Sequence, residues 1–240
     1  KEASIHLKNK TLSPLTVKYW LQASENAVPD RKIPYSFLMK PGEEQIVLKV
    51  TPENPSQNWS YRGEFSWRIG DTGAVHDDSY SYQLPYPRET TYWVLQGYGG
   101  KVSHFDQFEY SIDWDMPENS PVHAAREGLV VYKNDSFDGC GFSEYYRNRN
   151  NILRVLHSDG TIGEYVHFRK DGIVVEPGQK IKAGDLLGYS GNVGYSDCYH
   201  LHFNVCIPVD GGRIRTIPVV FNTTQSPRTT LEAGQAYYSP

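Results

Sequence analysis

Two histidines one residue apart, in the run Tyr199-His200-Leu201-His202-Phe203, are the residues of this 240-residue chain with the clearest capacity for chemistry. Successive side chains of an extended strand point to opposite faces. His200 and His202 therefore share a polar face, while Leu201 and Phe203 point into a core. Such a pair can ligate a metal, or divide the work between one ligand and one general acid or base. Taken alone, it also describes a surface strand with two hydrogen-bonded histidines, so partners elsewhere must decide.

The second half of the chain supplies those partners. A hydrolytic zinc site needs three protein ligands and one open position for water or substrate. His104, Asp113 and His202 provide two imidazoles and a carboxylate, a donor set suited to one Zn2+ ion. His167 and His200 are left for proton transfer. Tyr98, in the glycine turn before His104, is placed either to donate to an oxyanion or simply to pack as a loop aromatic.

The elements that carry these residues read as strands. Residues 108–114 alternate, with Tyr110, Ile112 and Trp114 on one face and Glu109, Ser111 and Asp113 on the other. Ser158-Asp159-Gly160-Thr161 is a hairpin signal, so residues 162–168 fold back and carry His167. Residues 186–191 form a last short strand before the loop that leads to the histidine pair. Beyond Pro208 the expectation is a terminal strand or two and a loosely held tail.

Residues up to about 90 read as short strands at 4–8, 15–20, 45–50, 65–69 and 80–84, split by turn residues such as Pro41-Gly42 and Gly70-Asp71-Thr72-Gly73. His6 and His76 stand isolated there, without a ligand cluster. The two prolines in Leu84-Pro85-Tyr86-Pro87 stop strand pairing and mark the expected junction. The predicted architecture is therefore all-β. A 1–90 antiparallel, immunoglobulin-like β-sandwich acts as an accessory or recognition module, followed at 91–240 by an antiparallel sheet domain.

Composition bounds the function. With 18 Tyr, 5 Trp, 21 Gly and only 2 Met, the chain leans towards β structure. A net charge of −4 without a basic stripe argues against nucleic acid as a partner. No apolar run is long enough to span a bilayer. The start at Lys1 rather than Met points to a processed mature form or to a trimmed one. Three cysteines, Cys140, Cys198 and Cys206, allow one disulfide with one free thiol, or three buried reduced thiols; a Cys140–Cys198 bridge would tie down the loop before the histidine strand.

The second half also carries an ordered set of motifs. Asp113-Trp114-Asp115-Met116-Pro117 is followed by Ala124-Ala125-Arg126-Glu127-Gly128, His157-Ser158-Asp159-Gly160-Thr161 and Tyr165-Val166-His167-Phe168. Glu176-Pro177-Gly178, Lys182-Ala183-Gly184, Gly188-Tyr189-Ser190-Gly191-Asn192 and His200-Leu201-His202-Phe203 complete it. Over residues 96–207 this set resembles the lysostaphin-type, or LytM-type, zinc endopeptidases. The resemblance implies zinc held by an upstream histidine, Asp113 and His202, with His167 and His200 catalytic. One departure stands out, because the family's usual His-x-x-x-Asp spacing puts Glu109 where the first ligand belongs. His104 is the expected ligand, across a long gap like that of members resembling staphylolysin. Glu109 is the fallback and His123 a weaker one, while His157 is expected to bond turn backbone.

The resemblance further implies a zinc-dependent endopeptidase acting outside the cytoplasmic membrane on the cross-links or stem peptides of bacterial peptidoglycan. The mildly acidic charge argues against release to attack foreign, teichoic-acid-rich walls. The alternative is a non-catalytic LytM-type regulator or wall-binding protein, although degenerate members of that kind lose ligands. No protein partner of the first half can be named from its residues.

Overall fold

The computed structural model describes residues 2–240, so the non-Met start at Lys1 lies outside the described residues. The chain is nearly all β, as expected, with one 3-10 turn at Asp106–Phe108 and one four-residue α-helix at Glu144–Arg147. No helix among the described residues is long and apolar enough to cross a membrane.

The fold divides into two compact units, Lys1–Gly73 with Pro208–Ile214, and Ala74–Ile207 with Arg215–Pro240. The first contains two antiparallel three-stranded sheets. One orders Ala3–Lys8, Glu44–Pro52 and Ala27–Pro29; the other orders Tyr35–Met39, Leu15–Glu25 and Ser60–Ile69. Ala3–Lys8 alternates half-buried and exposed residues, and His6 falls on its exposed face. Tyr19, Val47, Leu48 and Val50 form the small core. These sheets do not by themselves establish the immunoglobulin-like strand order.

The division at 73/74 falls before the proline-rich junction expected near residue 90. Tyr82, Leu84 and Tyr86 are buried in the core of the second unit, so the prolines lie within that unit's packing. The tail is likewise not loose. Val219, Phe221, Leu231 and Tyr237 belong to the same core, and Ala236–Tyr238 pairs with Thr91–Gln96.

A nine-stranded sheet organises the second unit. Its order is Lys180–Ile181, Gly128–Asn134, Ile152–Leu156, Ile162–Val166, Leu201–Pro208, Ser111–Trp114, Thr91–Gln96 and Ala236–Tyr238, with Ile214–Thr216 pairing Leu201–Pro208 off this path. A three-stranded sheet of Pro121–His123, Leu186–Ser190 and Phe168–Ile173 accompanies it. Register is fixed by burial, because a one-residue slip would turn Leu201 and Phe203, each 1% exposed, out of the core. Trp114, Tyr165, Phe203 and Phe221 pack there with ring centroids 4.9–6.3 Å apart.

Only residues 111–114 of the expected 108–114 strand are extended. The 3-10 turn precedes them, and Glu109 is exposed rather than aligned with Asp113. The Cys140–Cys198 bridge is not formed, and no disulfide occurs among the described residues.

Candidate metal centre

Register brings the site together. His202 stands opposite Asp113 on one neighbouring strand and Val166 on the other, and Gln96 pairs with Asp113 from the next strand along. Alternation then puts the His202 ring on the face opposite Leu201 and Phe203. Its Nδ1 lies 2.8 Å from Asp113 Oδ1. His104 arrives from the loop after Gly100 and places Nε2 3.1 Å from Asp113 Oδ2.

The ligand atoms of His104, Asp113 and His202 all lie within 4.8 Å of one another. His104 Nδ1–H donates to Gly97 O at 2.9 Å, which leaves Nε2 as the lone-pair nitrogen. That Nε2 is buried and makes no hydrogen bond. A buried, unpartnered ring nitrogen aimed at a carboxylate and a second imidazole has the chemistry of a ligand atom, so the three residues fit a zinc ion. Burial works to raise the Asp113 carboxyl; the hydrogen bonds it accepts, the one from the His202 imidazole among them, outweigh it and hold the group well below the usual carboxylate range. The carboxylate is therefore ionised, as a ligand must be.

His167 and His200 lie beside this set, their ring centroids 4.5 Å apart. His167 Nδ1–H donates to Val193 O at 2.8 Å and His200 Nδ1–H donates to Cys198 O at 3.0 Å, so both rings turn Nε2 lone pairs away from the loop. His200 Nε2 lies 3.9 Å from Asp113 Oδ1. Burial, reinforced by the neighbouring His200 and His202, keeps the His167 pKa well below that of a free imidazole. His167 also has φ 73°, a left-handed backbone that a non-glycine residue adopts only where its surroundings enforce it. Its N–H donates to Asn151 O and its carbonyl accepts from Gly191 N, both at 2.9 Å.

Residues 107–213 match the profile of peptidase family M23. The chain thus carries a stretch similar to peptidase family M23, over a little under half of its length. The M23 match begins three residues after His104, so the first candidate ligand lies outside the matched stretch, consistent with the unusual spacing. The chain is 33% identical over 95 residues to the glycyl-glycine endopeptidase ALE-1 of Staphylococcus capitis, covering 39% of this chain and 23% of that protein. It is 34% identical over 95 residues to lysostaphin of Staphylococcus simulans, covering 39% and 17%. A third relative, the peptidoglycan DD-endopeptidase ShyA of Vibrio cholerae, is 30% identical over 96 residues, covering 40% and 19%. The chain thus spans about a fifth of the length of these curated relatives.

The other sequence candidates fall away from the cluster. Tyr98 donates its hydroxyl proton to Val219 O at 2.8 Å and accepts from Val219 N at 2.9 Å, so it braces the backbone rather than offering a proton to an oxyanion. Glu109 and His123 contribute no atom to the ligand cluster. His157 Nδ1–H donates to Glu127 O at 2.8 Å, a structural bond to the backbone just before Gly128–Asn134.

Gln96 was missed from sequence. Its Nε2 donates to Asp113 Oδ2 at 3.0 Å, while its Oε1 accepts from the backbone N–H groups of Val102 and Ser103 at 2.9 and 3.2 Å. One side chain thereby ties the loop carrying His104 to the carboxylate beside it. A glutamine at the end of an aromatic strand gives no sequence signal of that role.

Proposed function

We propose that this chain is a zinc-dependent endopeptidase that hydrolyses peptide bonds of bacterial peptidoglycan, outside the cytoplasmic membrane. The observation that carries the reading is the convergence of three ligand atoms with two further imidazoles at their side. Relatives named as glycyl-glycine and DD-endopeptidases support the substrate class. The complete donor set favours a hydrolase over a regulator.

His104 Nε2, an Asp113 carboxylate oxygen and His202 Nδ1 would hold one zinc ion. Bound there, zinc supplies Lewis acidity, polarising a carbonyl and lowering the pKa of water towards neutrality. The protein's own part is proton management. Val193 O and Cys198 O each accept the Nδ1–H of one ring, which leaves Nε2 of His167 and of His200 to handle protons. One takes the proton of the attacking water, faces the oxyanion while it is protonated, and then gives that proton to the leaving amine.

The test is digestion of purified cross-linked peptidoglycan by the full chain, with products resolved by mass spectrometry, alongside metal content. New amino termini with one zinc per chain are expected. Metal-loaded protein that releases no peptide from any cross-linked substrate would remove the enzymatic reading.

A further inference from the structure

Behind the His202 ring lies a largely buried chain of polar groups that the proposed mechanism does not use. Arg154, Glu164 and Asn204 are cross-strand neighbours in a row, Arg154 opposite Glu164 and Glu164 opposite Asn204. Arg154 Nε donates to Glu164 Oε1 at 2.6 Å, and Asn204 Nδ2 donates to Glu164 Oε2 at 3.4 Å. The row ends on the candidate ligand, with Asn204 Nδ2 3.2 Å from His202 Nε2. Glu164 is 5% and Asn204 1% exposed. Arg154 is half-buried, and an ion pair with one buried partner loses hydration that its own attraction barely returns, so stability alone is a weak reason for this one.

We propose that Asn204, backed by Glu164, is a positioning residue that orients the His202 ring and selects the nitrogen it offers to the metal. The inference rests on the metal-centre reading above. His104 shows the arrangement in simple form, since its Nδ1–H donates to a carbonyl and Nε2 is left for the ion. His202 is turned the other way, with Nδ1 facing Asp113. To ligate through Nδ1 it must carry its proton on Nε2, which faces Asn204.

In the present arrangement Nδ1–H donates to Asp113, and Nε2 accepts from the Asn204 amide. The Asn204 Oδ1 atom is buried and has no hydrogen-bond partner. Turning that amide over gives the Nε2–H of the ligating tautomer an acceptor, for the loss of the 3.4 Å contact with Glu164. The Glu164 carboxylate, held by Arg154, adds a negative charge on the side of the ring where the proton must sit. The amide therefore has one setting for each tautomer of His202.

The decisive experiment compares wild type, Asn204→Ala and Glu164→Gln. Zn2+ affinity is read by competition with a chromophoric chelator, the Co2+ absorption spectrum reports ligand geometry, and thermal unfolding of the metal-free proteins is recorded in parallel. Both variants are expected to bind 10- to 100-fold more weakly, with an altered Co2+ spectrum. Glu164→Gln preserves side-chain volume and carries the test if Asn204→Ala does not fold. Variants that lose metal-free stability yet bind metal with wild-type affinity and spectrum would overturn the proposal, leaving a structural role only. A wild-type protein that binds neither ion would instead sink the metal-centre reading, and this inference with it.

Discussion

Asp113 and His202 are direct cross-strand partners, and the 2.8 Å separation of Oδ1 and Nδ1 is set by sheet register. Asp113→Ala and His202→Ala should each abolish stoichiometric zinc while leaving the β-sheet circular dichroism unchanged. His167→Ala and His200→Ala should retain zinc and lose roughly 100-fold or more in turnover, the usual scale of a lost general acid or base. Full activity of the His200 variant would remove its catalytic assignment.

Gln96 bridges Asp113 to the loop before His104. Gln96→Ala should weaken zinc binding by about 10- to 100-fold, the range seen when support of a ligand is removed. Equilibrium dialysis against graded chelator measures it. Unchanged affinity would mean that the loop holds His104 without this side chain.

His157 gives the protein an acid-sensitive element away from the metal centre. Burial lowers its pKa from 6.5 to about 4, partly opposed by its bond to Glu127 O. The unfolded chain binds the proton more tightly, so this contribution is fully present above about pH 6.5 and is lost as pH falls towards 4. The loss is on the order of 3 kcal/mol. His157→Asn, which can still donate to Glu127 O, should flatten the urea-unfolding stability between pH 6.5 and 4. An unchanged slope would place the acid sensitivity elsewhere.

Arg126 and Asp159 form a buried pair at 2.7 Å, with the guanidinium 4.2 Å from the Tyr80 ring centroid and 3.0 Å from the Tyr82 hydroxyl. Removing one partner strands the other charge, so Asp159→Asn should destabilise the protein by about 3–5 kcal/mol. Chemical denaturation at neutral pH measures this. A change below about 1 kcal/mol would show that the tyrosines and solvent suffice for Arg126.

Much of the site was legible because strand alternation is local. Leu201 inward and His202 outward follow from the pleat alone, and Asp113 lies on the face opposite Ile112 and Trp114 by the same rule. The failures were of another kind. The aromatic hydroxyl of Tyr98 looked catalytic until Val219, over a hundred residues away in sequence, accounted for both its donor and its acceptor. Glu109 seemed to share a face with Asp113, but the chain turns at Asp106–Phe108 and strand geometry starts only at Ser111. The prolines near residue 86 read as a boundary because proline stops local pairing, whereas Tyr82 and Tyr86 are claimed by a distant core.

By itself the sequence determined the β character, the residue types of the candidate donor set and the placing of His200 with His202 on one face, since each depends on residue type or on neighbours two positions apart. Only the tertiary structure decided that His104 lies beside Asp113, that Gln96 clamps their loop and that Arg154, Glu164 and Asn204 line up behind His202. Those relations are set by register between strands far apart in the chain, and register is fixed by which side chains must be buried together.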